Sequence, residues 1–214
     1  MKRFYALSIL WVATLTILCS CGETKQTDEY SNWEERNADY IDGKAQECAY
    51  FINQGITVDN AKEGQMFRLL SYSLDPDRKE WGNSSYIYCE VIQKDTTGTV
   101  SPMFSDSVRL NYRLRLIPTD TYPDGQVIDQ SYKTSSLDPT LNIPASFRVS
   151  SCVQGVATAL IHMHCGDFWR VYVPQEQGYG ANPRSTSSIP AYSALVFDIN
   201  LVEFARTGED LPPL

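Results

Sequence analysis

Hydrophobic and polar residues alternate with two different periods, which divide the chain into a helical part and a part rich in strands. Between residues 31 and 54, apolar residues recur mostly at the spacing of one helix face. Ser31 and Glu34 have the spacing of a capping box, and Gly55 is a suitable stop, although Gly43 weakens the middle of the pattern. The pattern therefore predicts one helix over 31–54.

Strand patterns occupy most of the remaining chain. Residues 65–74 and 86–93 are candidate strands, and the charged, turn-rich residues 77–85 link them. Alternation is clearest at 107–117, which predicts a strand with one buried and one solvent-facing side. The predicted buried side consists of Val108, Leu110, Tyr112, Leu114 and Leu116. The predicted solvent side consists of Arg109, Asn111, Arg113 and Arg115.

The last third of the chain adds one short helix and two more strands. An amphipathic pattern predicts the helix over 153–163, and apolar runs predict strands over 168–173 and 194–204. A single short helix among antiparallel strands is an α+β arrangement. Residues 31–83 would then form a helical accessory segment in front of this unit, with a tail at 206–214.

The N-terminus has the parts of a secretory signal. Lys2 and Arg3 form a basic start, and residues 4–18 form an apolar stretch shorter than the roughly 20 residues of a membrane span. The motif L-C-S-C at residues 18–21 resembles a bacterial lipobox, in which the final cysteine is acylated after cleavage. The alternative is a plain cleaved signal with incidental cysteines.

These features predict a lipoprotein of the bacterial cell envelope. We expect a signal peptide over 1–20, a lipid anchor at Cys21 and a polar, flexible tether over 21–30. Removing Lys2 and Arg3 with the signal leaves 16 basic and 26 acidic residues, a net charge of about −10. Such an acidic chain argues against nucleic-acid binding, which needs a basic face.

Cysteines and histidines give little evidence for a metal site or a nucleophile. Four cysteines follow the lipobox at wide spacings without a C-x-x-C motif, and we expect most of them to be buried free thiols: Cys48, Cys89, Cys152 and Cys165. Their pairing stays open. His162 and His164 could bind a metal, but residues at a solvated helix end fit the pattern better. No histidine stands in a believable order for a catalytic triad, and we expect no cofactor.

From residue 84 to residue 205, the chain contains a series of short motifs. The motifs follow in the order Tyr112 on a strand, D-G at 124–125, V-I-D-Q-S at 127–131, F-R-V at 147–149, V-Q-G-V at 153–156, Leu160, Met163, Gly166, V-P at 173–174, G-Y-G at 178–180, I-P at 189–190 and L-V-F-D-I-N-L at 195–201. Each motif is weak alone, but in their order and spacing they together resemble the FKBP-type peptidyl-prolyl cis-trans isomerases.

The resemblance implies a fold and a site. The fold would be a curved antiparallel sheet wrapped around one short helix. The catalytic residues would be Asp129, Tyr179 and Phe197. The substrate-binding residues would be Tyr112, Ile128, Phe147, Val153, Val156 and Ile189, where the backbone N–H of Val153 holds a substrate carbonyl. From the residues alone, Phe147 and Phe197 fit a structural core better, whereas an aromatic between two glycines, such as Tyr179, is seldom a core residue.

Three functions remain open from the sequence: an active isomerase, a degenerate domain that binds peptides, and a structural lipoprotein with a borrowed fold. Rotation about an X–Pro bond needs no acid–base group, so the lack of such groups is compatible with the first. The family usually has large rings where this chain has Ile128 and Val156, and we therefore expect reduced activity. The partners would be exported proline-containing polypeptides and the membrane, with the outer membrane as the expected location. We expect a monomer rather than a dimer.

Overall fold

A computed structural model gives the structure of the protein, and it describes residues 28–78, 80–95, 98–134, 136–138, 141–182 and 188–213. The predicted signal peptide and lipid-anchor residue Cys21 lie outside these ranges. Among the described residues, no helix combines the length and the apolar character needed to cross a bilayer.

The described residues form a seven-stranded antiparallel sheet and two helices. The strands are β1 (Met66–Leu70), β2 (Tyr86–Gln93), β3 (Ser107–Arg115), β4 (Val127–Gln130), β5 (Ala145–Arg148), β6 (Phe168–Val173) and β7 (Leu195–Ala205). The helices are α1 (Trp33–Ile52) and α2 (Gln154–Leu160). The strand order is β1-β2-β6-β7-β3-β4, and β5 also pairs with β3. This architecture confirms the predicted α+β class.

Helix α2 packs closely against one face of the sheet. A Cβ atom on Gly155 would lie 2.4 Å from Val173 and 3.1 Å from Ile87, so only glycine allows this approach. Five further residues of this short helix are buried: Val156, Ala157, Thr158, Ala159 and Leu160. Because α2 lacks a solvent-facing side, its stability depends on this packing rather than on its own hydrogen bonds.

Helix α1 covers the opposite face of the sheet. Its Tyr40 ring lies 6.1 Å from the ring of Tyr172, and its Lys44 ammonium lies 4.7 Å from the same ring centroid. Tyr172 and Val173 are neighbours on β6, and neighbours on a strand point to opposite faces. Strand β1 pairs with β2 and extends the sheet, so the accessory segment contributes an edge strand as well as α1.

The start of α1 differs from the sequence prediction. Asn32 precedes the helix in a left-handed conformation (φ 50°) and makes no side-chain cap, so the predicted capping box at Ser31 and Glu34 is wrong. Instead, Arg36 reaches back to donate to the carbonyl oxygen of Glu29 at 2.9 Å. Tyr30, expected in the tether, packs edge-on against the ring of Trp33 at 5.0 Å. These contacts fix the entry of the chain without a cap.

The predicted solvent side of β3 is also wrong. Arg109 and Asn111 are buried, and Arg115 pairs with the buried Asp198 at 2.7 Å. Arg109 is covered because it pairs with Glu203 and donates to the carbonyl oxygen of Pro212 in the C-terminal tail at 2.6 Å. The predicted burial of three leucines in the strands is confirmed at Leu110, Leu114 and Leu201.

The four described cysteines are free thiols, but only two of them are buried, fewer than expected. Cys48 and Cys89 are fully buried, whereas Cys152 and Cys165 are only half-buried. Burial raises the pKa of Cys48 to about 11, so this thiol is protonated at neutral pH and packs as a small apolar group.

Candidate active site

A cavity of about 520 Å³ opens between α2, β3 and the segment that follows β6. Its size lies within the range of small-molecule and peptide pockets, roughly 300–1,000 Å³. Seven of the nine predicted site residues line it: Tyr112, Asp129, Phe147, Val153, Val156, Tyr179 and Phe197. The structure therefore gathers residues that span 86 positions of the sequence around one space.

The walls of the cavity come from neighbouring strands. Leu110, Tyr112 and Leu114 share one face of β3 because side chains alternate along a strand. Leu114 pairs across the sheet with Phe197 of β7, which places both side chains on the same wall. The ring of Phe147 meets the ring of Tyr112 edge-on at 5.6 Å. These residues give the cavity an apolar, partly aromatic lining.

The floor is formed by the beginning of α2. Val156 is 5% exposed and presents an aliphatic side chain to the cavity. Val153 precedes the helix with extended backbone angles (φ −60°, ψ 150°), so its N–H lies outside the helical hydrogen bonds. No described residue accepts a hydrogen bond from this N–H. The floor thus offers an apolar surface and, beside it, one unpaired backbone donor.

Asp129 and Tyr112 form a polar pair at the rim. The Tyr112 hydroxyl donates to Asp129 Oδ2 at 2.7 Å, and the Gln130 N–H donates to Asp129 Oδ1 at 2.8 Å. Burial, together with the hydrogen bond to the carboxylate, raises the pKa of Tyr112 well above its ordinary value. Tyr112 is therefore a neutral donor at physiological pH, and Asp129 is its acceptor.

Tyr179 reaches the cavity from a loop shaped by its two glycines. Gly180 has a positive φ of 64°, a backbone angle that residues with a side chain rarely adopt. A Cβ atom on Gly178 would lie 3.1 Å from Leu195, so this position is also tight. The Gly180 N–H donates to the carbonyl oxygen of Gln175 at 2.9 Å and closes the loop. The G-Y-G motif thus projects a half-buried tyrosine into the site.

Ile128 and Ile189 are not among the residues that line the cavity. Ile128 immediately precedes Asp129 on β4, and consecutive strand residues point to opposite faces, so Ile128 packs against the core instead. Ile189 is 2% exposed and also belongs to the core. The predicted role of these two isoleucines in the cavity lining is therefore wrong for the cavity as it stands.

Six lining residues were not predicted: Leu110, Leu114, Ser151, Cys152, Gly178 and Ile199. The leucines could have been found, because they share the strand face of Tyr112. Burial raises the pKa of Cys152 to about 11, so its thiol stays protonated at neutral pH and is a poor nucleophile. His162 lies elsewhere, beside the carbonyl oxygen of Thr158 at 2.9 Å. Within the described ranges, no cluster of three or more ligand-type side chains could hold a metal.

Comparison with known proteins identifies similar chains, among them three curated relatives that are each 35% identical. Peptidyl-prolyl cis-trans isomerase Mip of Coxiella burnetii is 35% identical over 106 residues, which are 50% of this chain and 40% of that protein. The FKBP-type 22 kDa peptidyl-prolyl cis-trans isomerase of Escherichia coli K12 is 35% identical over 102 residues, 48% of this chain and 43% of that protein. Outer membrane protein MIP of Legionella longbeachae is 35% identical over 108 residues, 50% of this chain and 40% of that protein.

These matches cover less than half the length of each relative. The family model of the FKBP-type peptidyl-prolyl cis-trans isomerases matches residues 98–202, the part that contains every residue lining the cavity. With its motifs in the expected order and its site assembled, this chain belongs to the FKBP-type peptidyl-prolyl cis-trans isomerase family through residues 98–202.

Proposed function

We propose that this protein catalyses cis-trans isomerisation of X–Pro bonds in exported polypeptides and thereby assists their folding. The observation that carries the proposal is the cavity itself. It combines apolar walls, a half-buried tyrosine and an unpaired backbone N–H in a space of about 520 Å³. A proline ring and the peptide bond before it need these features and no acid–base group.

The chemistry follows from the electronic structure of the imide bond. The planar X–Pro bond is stabilised by resonance, is strongly dipolar, and rotates over a barrier of about 18–20 kcal/mol. The twisted transition state is less dipolar, so an apolar cavity that excludes water favours it over the planar ground state. Phe197 and Val156 would pack on the proline ring in this arrangement.

Two donors would hold the substrate chain during the rotation. The Val153 N–H at the start of α2 would bind one substrate carbonyl, and the Tyr179 hydroxyl would bind another. Asp129 would keep the Tyr112 hydroxyl oriented at the rim, through their 2.7 Å hydrogen bond. Binding at two points fixes the substrate on either side of the rotating bond, which lowers the entropic part of the barrier.

We expect the activity to be weaker than in a family member with a full aromatic floor. Val156 lines the cavity and is shorter than a flat ring, so the floor would be deeper and would admit more water against the substrate. Because Ile128 does not line the cavity, this argument rests on Val156 alone. The same aliphatic floor also supports the competing function, which is peptide binding without useful catalysis.

An isomerisation assay on the chain without its signal peptide tests the proposal. The exchange rate of a proline-containing peptide should rise in proportion to protein concentration. If titration shows peptide binding while the rate does not change, the peptide-binding function replaces the isomerase. If the peptide neither binds nor isomerises, only the structural function survives.

Val153→Pro gives the assay a specific variant. Proline fixes φ near −65°, close to the −60° of Val153, and it lacks the N–H that we assign to the substrate. The rate should fall by up to about tenfold, since a hydrogen bond contributes roughly 0.5–1.5 kcal/mol. Val153→Ala keeps the N–H and is the matched control. Equal activity in Val153→Pro and the parent would remove this residue from the mechanism.

We also propose that the protein is anchored to the cell envelope by a lipid on Cys21. The lipobox motif at 18–21 supports this, and one relative is named an outer membrane protein. Cells that express Cys21→Ser should incorporate no radioactive fatty acid into the protein. Cys19→Ser changes the other cysteine of the motif and should retain the label. Labelling of Cys21→Ser at the parent level would contradict the anchor.

A further inference from the structure

We propose that helix α1 positions Tyr179 in the active site through a chain of buried hydrogen bonds that begins at Trp33 and Asn37. The inference rests on the proposed function for the role of Tyr179 with substrate. It assigns positioning residues to the accessory segment, which lies outside the part of the chain that matches the isomerase family.

The first link joins α1 to the loop before β7. The Trp33 Nε1–H donates to Ser193 Oγ at 2.8 Å, and the Ala194 N–H donates to Asn37 Oδ1 at 2.8 Å. All four residues are at most 6% exposed. The Asn37 amide also donates to the Trp33 carbonyl oxygen at 2.6 Å, which orients it toward Ala194. A buried polar contact of this kind demands a defined geometry, because an unpaired donor there is costly.

The second link runs from this loop to the loop of Tyr179. The Ser193 hydroxyl in turn donates to the Pro190 carbonyl oxygen at 2.7 Å. The Tyr192 N–H then donates to the carbonyl oxygen of Gly180 at 2.9 Å, and Gly180 directly follows Tyr179. Tyr192 has a positive φ of 61°, a conformation that a tyrosine rarely adopts. A strained backbone of this kind persists only where the surrounding contacts fix it. The hydrogen bonds of Trp33 and Asn37 to the two residues after Tyr192 provide such contacts.

The loop of Tyr179 is also held from its other side, by Ser84, which directly follows the accessory segment. Gln177 is buried and donates its side-chain amide to the carbonyl oxygen of Ser84 at 3.0 Å. Tyr179 therefore lies between two attachments, one through Gln177 and one through Gly180. Both attachments end on residues 33–84, and neither contributes to the cavity lining. Their effect on substrate must pass through the position of Tyr179.

The attachment differs from ordinary helix packing. The remaining inward residues of α1, such as Ile41 and Cys48, are apolar and bury area without directional bonds. Tyr40 packs on Tyr172, away from the loop. Among the described residues of α1, only Trp33 and Asn37 make buried hydrogen bonds to the segment before β7. We therefore expect their loss to alter the site more than the loss of a packing contact.

The test uses the mature chain with Asn37→Leu, which removes the acceptor for the Ala194 N–H. Amide hydrogen exchange at Tyr192 and Ala194 should accelerate by roughly tenfold or more, since the loop gains freedom to open. The isomerisation rate should fall by roughly fivefold to tenfold, as expected for a displaced substrate contact. Asn37→Asp keeps the acceptor oxygen and should restore most of the rate. If Asn37→Leu does not fold, Trp33→Phe is the second variant: it keeps an aromatic ring but removes the indole N–H that donates to Ser193 Oγ.

A double-mutant cycle separates positioning from simple destabilisation. In a Tyr179→Phe background, the further loss from Asn37→Leu should shrink to less than about twofold, because the group being positioned is already gone. Tyr40→Phe, on the same helix, should leave exchange and rate unchanged. Equal losses in both backgrounds, or unchanged exchange at Tyr192, would overturn the inference. If the parent protein shows no isomerisation, the proposed function fails, and exchange at Tyr192 still decides whether α1 holds the loop.

Discussion

The two faces of the sheet are both covered, but they differ in how their polar groups are satisfied. Adjacent residues of β7 show the contrast: Phe197 lines the cavity on the α2 side, and Asp198 faces the α1 side. Asp198 accepts from Arg170 Nε and from Arg115 Nη2, each at 2.7 Å. On the α1 side the charge of Asp198 is paired with two arginines and the one donor left over, Arg115 Nε, is buried, whereas the α2 side leaves a backbone donor unpaired beside an open space. Burial alone therefore does not make a binding site; unsatisfied donors next to apolar walls do.

Phe197→Ala should have the largest effect and should affect both stability and activity. The side chain is 8% exposed, and truncating a buried phenylalanine costs about 3–5 kcal/mol in the free energy of unfolding. The isomerisation rate should fall more than tenfold, because the wall that packs on the proline ring is lost. Urea denaturation and the peptide assay measure the two effects. Unchanged isomerisation in a folded variant would show that this cavity is not the catalytic site.

Asp198→Ala makes the matched change on the other face. It leaves Arg115 and Arg170 without their carboxylate, and breaking a buried ion pair costs about 3–5 kcal/mol. Because Arg170 is 34% exposed and can recruit water, we expect about 2–4 kcal/mol. The rate per folded molecule should stay close to that of the parent. A rate loss as large as that of Phe197→Ala would mean that the two faces are coupled.

The sequence supports the prediction of the α2 face better than that of the α1 face. Strands β2 and β6 have the predicted bounds, because continuous apolar runs end at clear turns. Seven of the nine site residues meet at the cavity, because the sheet brings together the strands and loops that carry their motifs. The helix at 153–163 was predicted too long; it spans Gln154–Leu160.

The α1 face could not be derived from the pattern alone. Alternation shows which residues of a strand share a face, but it does not show what covers that face. Arg109 and Arg115 therefore look solvent-exposed in the sequence, although Glu203 and Asp198 neutralise them from more than 80 residues away. The link between Trp33 and Ser193 spans 160 residues and has no local signature. Only the packed structure reveals such partners.

Val156→Trp tests whether the cavity floor limits catalysis. A flat indole would fill the deep part of the cavity and remove water from the proline ring, which should raise the isomerisation rate by about tenfold, or 1.4 kcal/mol of transition-state stabilisation. Val156→Leu adds volume without a flat face and is the control. A tryptophan variant that folds well without a faster rate would show that the floor is not limiting, and would favour the peptide-binding function.

The smallest effect should appear at alkaline pH and belong to the α1 face. Burial against Tyr172 beneath α1 raises the pKa of Tyr40 from 10.0 to about 12. Between these two values the unfolded chain loses a proton that the folded protein retains, so stability is full below pH 10 and declines as the pH rises toward 12.

Tyr40→Phe has no such proton, and its free energy of unfolding should decline less over this interval. Burial also raises the pKa of Tyr172, so part of the decline in stability should persist in the variant. Urea unfolding at pH 8 and at pH 11 measures the difference. An identical decline in variant and parent would mean that α1 leaves Tyr40 open to water, and that the α1 face is less tightly closed than its ion pairs indicate.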